Sequence, residues 1–179
     1  MQAKEYNTYG KYGDGLINLC NECMAQTNIE KTVEYFPNLL DEEELIFDLE
    51  NDEVSGEEIF DTMQSFYLFA LLKGGKPGEF ESEVVTRFPD FKTVEFKYHT
   101  FISFVERFKL TDEQMETFGD AFGKVYKTDI DYPEKIQIIT LQTLLYDRCG
   151  ASEKFEAVRV QSEKLQEEID NQPIQSIEN

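Results

Sequence analysis

The chain has 179 residues with 37 acidic against 17 basic side chains, a formal charge of −20, together with 15 Phe and 9 Tyr. That many large apolar groups exclude an intrinsically disordered chain, and the length suits one well-buried domain. A surface of this sign repels phosphates and anionic lipid, so the sequence predicts no direct nucleic-acid or membrane binding and a basic protein surface as partner.

Residues 1–13 are polar and Tyr-rich, interrupted by Gly10 and Gly13, and predict a flexible arm. The spacing of Gly10, Gly13 and Gly15 is not a dinucleotide fingerprint, and no strand precedes it. No apolar run approaches the ~20 residues that span a bilayer, and the first residues lack the apolar stretch of a signal peptide. A soluble cytoplasmic protein is expected, in the host cytoplasm if the chain is viral.

Asp14 caps a predicted helix that carries Leu16, Ile17, Leu19, Cys20, Cys23 and Met24 on its apolar positions. Cys20 and Cys23 share a face, and with Cys149 and His99 they make the one arithmetically complete zinc set in the chain. The second Cys-x-x-Cys that gives such a signal its strength is missing, and an acidic field does not favour a reactive thiolate. The cysteines are read as reduced core thiols, with no metal and no cofactor. Asn28 caps a short helix with Ile29, Val33 and Phe36, expected to end at Pro37.

From Asp41 to Asp61 eleven residues are acidic and none is basic. A helix over 41–49 would bury Leu45, Ile46 and Leu49 on one side and turn carboxylates outward on the other. Glu42, Glu43, Glu44, Asp48, Asp52, Glu53, Glu57 and Asp61 are the candidate partner-binding residues. An EF-hand loop starting at Asp48 fails, because its sixth position is Glu53 instead of glycine and its twelfth is Ile59 instead of a bidentate Glu.

Ser55 with Glu58 reads as a capping box opening the central helix, Ser55 to Lys73. Ile59, Phe60, Met63, Phe66 and Ala70 follow helical spacing, and from Phe66 to Leu72 every residue is apolar or aromatic. That half must be buried on all sides. Gly74 is expected to supply the left-handed stop, and Pro77 to block resumption. The loop Gly74–Gly78 lacks the Gly-Lys-Ser/Thr order of a phosphate cradle.

A short helix follows over Glu79–Phe88, stopped by Pro89, with Phe80, Val84 and Phe88 in a stripe. Phe91, Val94, Tyr98, Phe101, Val105 and Phe108 alternate steps of three and four and predict a helix over 90–110. Val94, Phe96 and Tyr98 also alternate at period two, which leaves a small hairpin near 92–98 as the local alternative. His99 has no Ser, Cys or Asp motif around it and is read as structural. Thr111 with Gln114 opens a helix bearing Met115, Phe118, Phe122 and Val125. After a turn at 127–132, Pro133 starts a helix through Ile136, Ile139, Thr140, Leu144 and Leu145 to Cys149, closed by Gly150. Ser152 is expected to cap a last, surface helix with Phe155, Val158, Leu165 and Ile169, and residues 171–179 read as a tail.

These elements predict an all-α fold: a single compact helical domain over 14–170, with seven to nine helices and at most one small β-hairpin. No catalytic residue stands out. The predicted function is a non-enzymatic acidic macromolecule-binding protein, in its sharpest form a nucleic-acid mimic that inhibits a basic nucleic-acid-binding enzyme, as viruses and mobile elements encode. Helical carboxylates at i and i+4 lie ~6 Å apart along the axis, close to the spacing of phosphates on one strand. The alternatives are an assembly chaperone, adaptor or structural subunit kept soluble by its acidity, and a metal-dependent enzyme using acidic pairs such as Glu57 with Asp61.

Overall fold

The computed structural model describes residues 29–40, 56–91, 101–102, 105–106 and 108–171, with side chains at 29–34, 61, 63–89, 91 and the later positions. Six α-helices fill the described residues: α1 (Ile29–Leu40), α2 (Gly56–Lys73), α3 (Pro77–Arg87), α4 (Asp112–Val125), α5 (Tyr132–Cys149) and α6 (Ser152–Asp170). A short 3-10 turn, Phe88–Asp90, follows α3, and helical backbone recurs at Phe101, Ile102, Val105, Glu106 and Phe108. The architecture is all-α, with no strand among the described residues and fewer helices there than the seven to nine expected. The predicted helices over 14–26 and 41–49, the alternative hairpin at 92–98 and the Ser55–Glu58 box lie outside the described residues or side chains.

α2 is the centre. From Met63 to Leu72 every residue is buried, polar Gln64 and Ser65 included. An ordinary helix has one apolar stripe to cover; this stretch needs cover all round, and α1, α3 and α4 each pack on the helix. Nine phenylalanines interlock there, Phe66 and Phe69 of α2 itself and seven from the segments around it. Phe69 stacks on Phe108 at 5.4 Å and meets Phe118 edge-on at 5.2 Å. Phe101 and Phe118 both meet Phe122 at 5.1 Å, and Phe80, Phe88, Phe91 and Phe66 close the set. Edge-to-face pairs add ~0.5–1.5 kcal/mol each beyond the area they bury.

The termini of the helices follow from local chemistry, with four differences from expectation. The left-handed residue after α2 is Gly75 (φ 72°), one place later than Gly74. Lys76 N–H donates to the Leu71 carbonyl at 3.0 Å and closes the end, while Gly74 is required for room: a Cβ there would stand 2.9 Å from the Ala70 carbonyl oxygen. Pro77 does not merely block a helix but begins α3, since its fixed φ suits the first turn and its missing N–H would be unpaired there anyway. Pro37 does not end α1, whose backbone stays helical to Leu40; near a helix end a proline forfeits one backbone bond and can be carried. Ser152 is the first residue of α6 and Ala151 occupies its cap position, with no side-chain cap.

Thr111 and Gln114 form the expected box, at 3.2 Å from Gln114 N to the Thr111 hydroxyl and 3.1 Å from Thr111 N to the Gln114 carbonyl oxygen. The Gln114 amide also donates to the Leu72 carbonyl at 3.2 Å, so one side chain caps the start of α4 and the end of α2 together. Gln114→Ala is expected to lower stability by ~1–2 kcal/mol, above what a single cap contributes, and Gln114→Glu, which keeps the acceptor and loses the donor, by less; urea unfolding of the three chains measures it.

Candidate functional site

Of the eight candidate acidic residues, Glu42, Glu43, Glu44, Asp48, Asp52 and Glu53 lie outside the described residues, as does the side chain of Glu57 on α2. Asp61 is described and fully buried. It stands on one face of α2 with Gln64 and Ser65, both also fully buried, and the Ser65 hydroxyl donates to the Asp61 carbonyl at 2.9 Å. Asp61 therefore does not belong to a solvent-facing cluster: the helix that carries it is enclosed there, so its carboxylate acts inside the fold. Both amide atoms of Gln64 are buried without a hydrogen-bond partner, an arrangement that costs ~1–3 kcal/mol per group. Cys20, Cys23 and His99 lie outside the described residues. Cys149 is half-buried, with its thiol 3.7 Å from the Tyr146 carbonyl, and no group of three metal-ligating side chains occurs among the described residues.

The most elaborate polar arrangement was not singled out from the sequence. It lies where α4, α5 and α6 meet. Gly119 and Gly123 sit one turn apart on α4, and α5 comes in close over them: a Cβ at Gly119 would stand 2.5 Å from the Tyr146 ring, and one at Gly123 3.0 Å from the Gln142 amide nitrogen. That closeness lets Gln142, 4% exposed, donate to the Gly119 carbonyl at 2.8 Å. It also brings the Tyr146 hydroxyl to the Asp120 carboxylate, to which it donates at 3.0 Å. Lys154 of α6 completes the group, its ammonium 2.8 and 2.7 Å from the two Asp120 oxygens, 2.7 Å from Glu116 and 5.8 Å from the Tyr146 ring centre.

Two titrations are shifted there. Burial, then the Asp120 charge and the hydrogen bond to it, push the Tyr146 phenol far above its ordinary range. For Lys154 burial alone would lower the ammonium, but hydrogen bonds to Asp120 and Glu116 outweigh it and hold it above its ordinary value. Tyr146 stays a neutral donor and Lys154 a cation. Neither is poised to exchange protons near neutrality, so the arrangement clamps three helices and does not resemble an acid–base pair.

On the outer surface, six of the twelve described basic side chains pair with the chain's own acids, while Lys31, Lys73, Lys109, Lys127, Lys135 and Lys164 make no ion pair among the described residues. Lys76 pairs with Glu79, Arg87 with Glu83, Lys124 with Glu81, Arg148 with Glu106, Lys154 with Glu116 and Asp120, and Arg159 with Glu156 and Glu163. Exposed pairs of this kind stabilise little, ~0–1 kcal/mol, and each cancels one charge of each sign locally without changing the net charge. Asp112, Glu113, Asp129, Asp147, Glu153, Glu167 and Glu168 keep theirs, with no ion pair among the described residues. Compared with known proteins, the chain matches no family model, no curated protein and no solved structure.

Gly119→Ala is expected to destabilise by ~1–3 kcal/mol, because the Tyr146 ring must leave its place between α4 and α6, and Tyr146→Leu in the same chain should recover part of the loss. The raised phenol sets a pH dependence. Above the unfolded pKa of ~10 the unfolded chain sheds a proton that folded Tyr146 keeps, so stability falls as pH rises, by up to ~1.4 kcal/mol per unit for this one group. Lys154, also raised, acts in the same direction over the same alkaline range. Tyr146→Phe should make the decline above about pH 10 shallower by one proton while leaving the slope at neutral pH unchanged; equal slopes in the two chains would refute the assignment.

Proposed function

We propose that the chain is a non-enzymatic acidic binding protein that engages a basic protein surface, in its sharpest form the cationic groove of a nucleic-acid-binding enzyme, for which its carboxylates stand in for phosphates. The observation that carries this reading is the pairing pattern. Among the described residues six basic side chains are tied to the chain's own acids and six lysines make no ion pair, against eleven exposed carboxylates that make none, so a surplus of negative charge faces outward, in keeping with the net charge of −20.

Geometry supports the same reading. On α6 exposed carboxylates recur at Glu153, Glu156, Glu163, Glu167 and Asp170, in steps of three and four residues interrupted once by exposed Val160, with Glu156 and Glu163 sharing Arg159 between them. Such steps place successive positions ~4.5–6 Å apart along the helix, a regular row of negative charge of the kind a nucleic-acid strand presents. The sequence assigns the same role to Glu42, Glu43, Glu44, Asp48, Asp52, Glu53 and Glu57. Asp61, being buried, is set apart from it.

The test is affinity capture by the full chain from cells of its own source, followed by competition with DNA and RNA. The captured protein should bind nucleic acid, be displaced by it, and be released as salt rises from about 0.05 to about 0.3 M. Changing Glu42, Glu43, Glu44, Asp48, Asp52 and Glu53 to Gln or Asn should slow association and flatten its salt dependence, while altering stability by only ~0.3–1 kcal/mol for each that faces a helix start. A salt-insensitive complex that nucleic acid does not displace would overturn the mimic in favour of an adaptor.

A further inference from the structure

Six described basic side chains make no ion pair among the described residues, and of these Lys135 is the one held over aromatic rings. Lys135, in the first turns of α5, holds its ammonium 5.8 Å from the centre of the Tyr126 ring and 5.6 Å from that of Tyr132. It does so although Asp129, Asp131 and Glu134 lie within six residues of it, and it makes no ion pair among the described residues. Asp131 is occupied otherwise: its carboxylate caps α5, accepting from Glu134 N at 2.9 Å. The position is a poor one for a cation, because the N-terminal end of a helix is its positive end. What offsets that is the negative face of two rings, each held by packing. Tyr126 closes α4 and packs against both apolar clusters, and Tyr132 opens α5 and packs against the smaller one.

We infer that Tyr126 and Tyr132 form a seat for an alkylammonium group, taken by Lys135 in the free chain and by a lysine side chain of the basic partner in the complex. This rests on the acidic-binding reading above and adds to it a place and a ligand chemistry. The ammonium lies 5.6 and 5.8 Å from the centres of two half-buried rings, near the outer limit of a cation–π contact, so it is held weakly and an incoming one can displace it. Asp129, exposed and without an ion pair among the described residues, supplies the local attraction, and a lysine chain long enough to reach the rings supplies its own apolar stem.

Tetramethylammonium chloride is the probe, titrated into the full chain against sodium chloride of equal ionic strength, with the ring resonances of Tyr126 and Tyr132 as readout. Lys135→Ala should bind it more tightly than the parent by roughly 2–5-fold, the ~0.5–1 kcal/mol of an exposed cation–π contact converted at 1.4 kcal/mol per tenfold. Adding Tyr132→Leu should abolish the response at Tyr126. Lys135→Met, which keeps the apolar stem, replaces the alanine variant if circular dichroism shows that one unfolded. Equal affinity in parent and variant, or a response that survives Tyr132→Leu, overturns the seat. The salt dependence of partner capture is read separately: if it persists while the probe fails, the seat alone is wrong, and if it is missing, the binding reading itself falls.

Discussion

Everything in this fold answers to the enclosure of α2. A helix whose residues from Met63 to Leu72 are all buried has no side to give to solvent, so the chain must surround it, and the elements that do so are short, aromatic and interlocked. The phenylalanines at 69, 101, 108, 118 and 122 come from three separated stretches, yet 69, 101, 118 and 122 each touch at least two of the others and 108 stacks on 69. Rings pack at preferred angles, and a set that shares neighbours tolerates little displacement of any one member. The double hydrogen bonding of Gln114 belongs to the same logic, because it ties the end of the enclosed helix to the start of its neighbour where backbone groups would otherwise be left unpaired.

Away from that centre the packing principle changes. α5 approaches α4 by backbone proximity at Gly119 and Gly123, and the space so saved is filled with polar groups. Tyr146 and Gln142 are enclosed, Asp120 and Glu116 are half exposed, and Lys154 brings α6 to them. Two smaller apolar contacts, at Val158 and Leu165, finish the attachment of α6. Its outer face is left entirely to solvent and charge.

Charge and fold are therefore nearly separate properties of this molecule. The core is built from phenylalanine and leucine, and the ion pairs that decorate it contribute little to its stability. The field that a partner meets is set by the excess of acidic over basic side chains, 37 against 17. Among the described lysines without an ion pair, Lys135 is the one that lies over rings.

The all-α class, the enclosure of the second half of α2, the box at Thr111 and Gln114, the start of α5 at Pro133 and its stop at Gly150 were legible in the order of residues, because apolar periodicity and caps act over a few neighbours. Where the chain is apolar all round, that signal loses direction: Ile136 and Thr140 were placed inward on α5 and are exposed, while Ile138, Leu141, Gln142 and Tyr146 are the buried ones. The burial of Asp61 was likewise unreadable, since a carboxylate among ten other acids looks like surface until the elements around it are in place. Gly119 and Gly123 carry a local trace of close packing, but which side chains enter the space depends on α5 and α6, 23 to 35 residues further on. The sequence by itself determined the helices, the aromatic core and the sign of the surface, all of which follow from local pattern and composition. Only the tertiary structure decided which acids face water, which bases are paired and where a ring meets a cation, because those depend on contacts between helices distant in the chain.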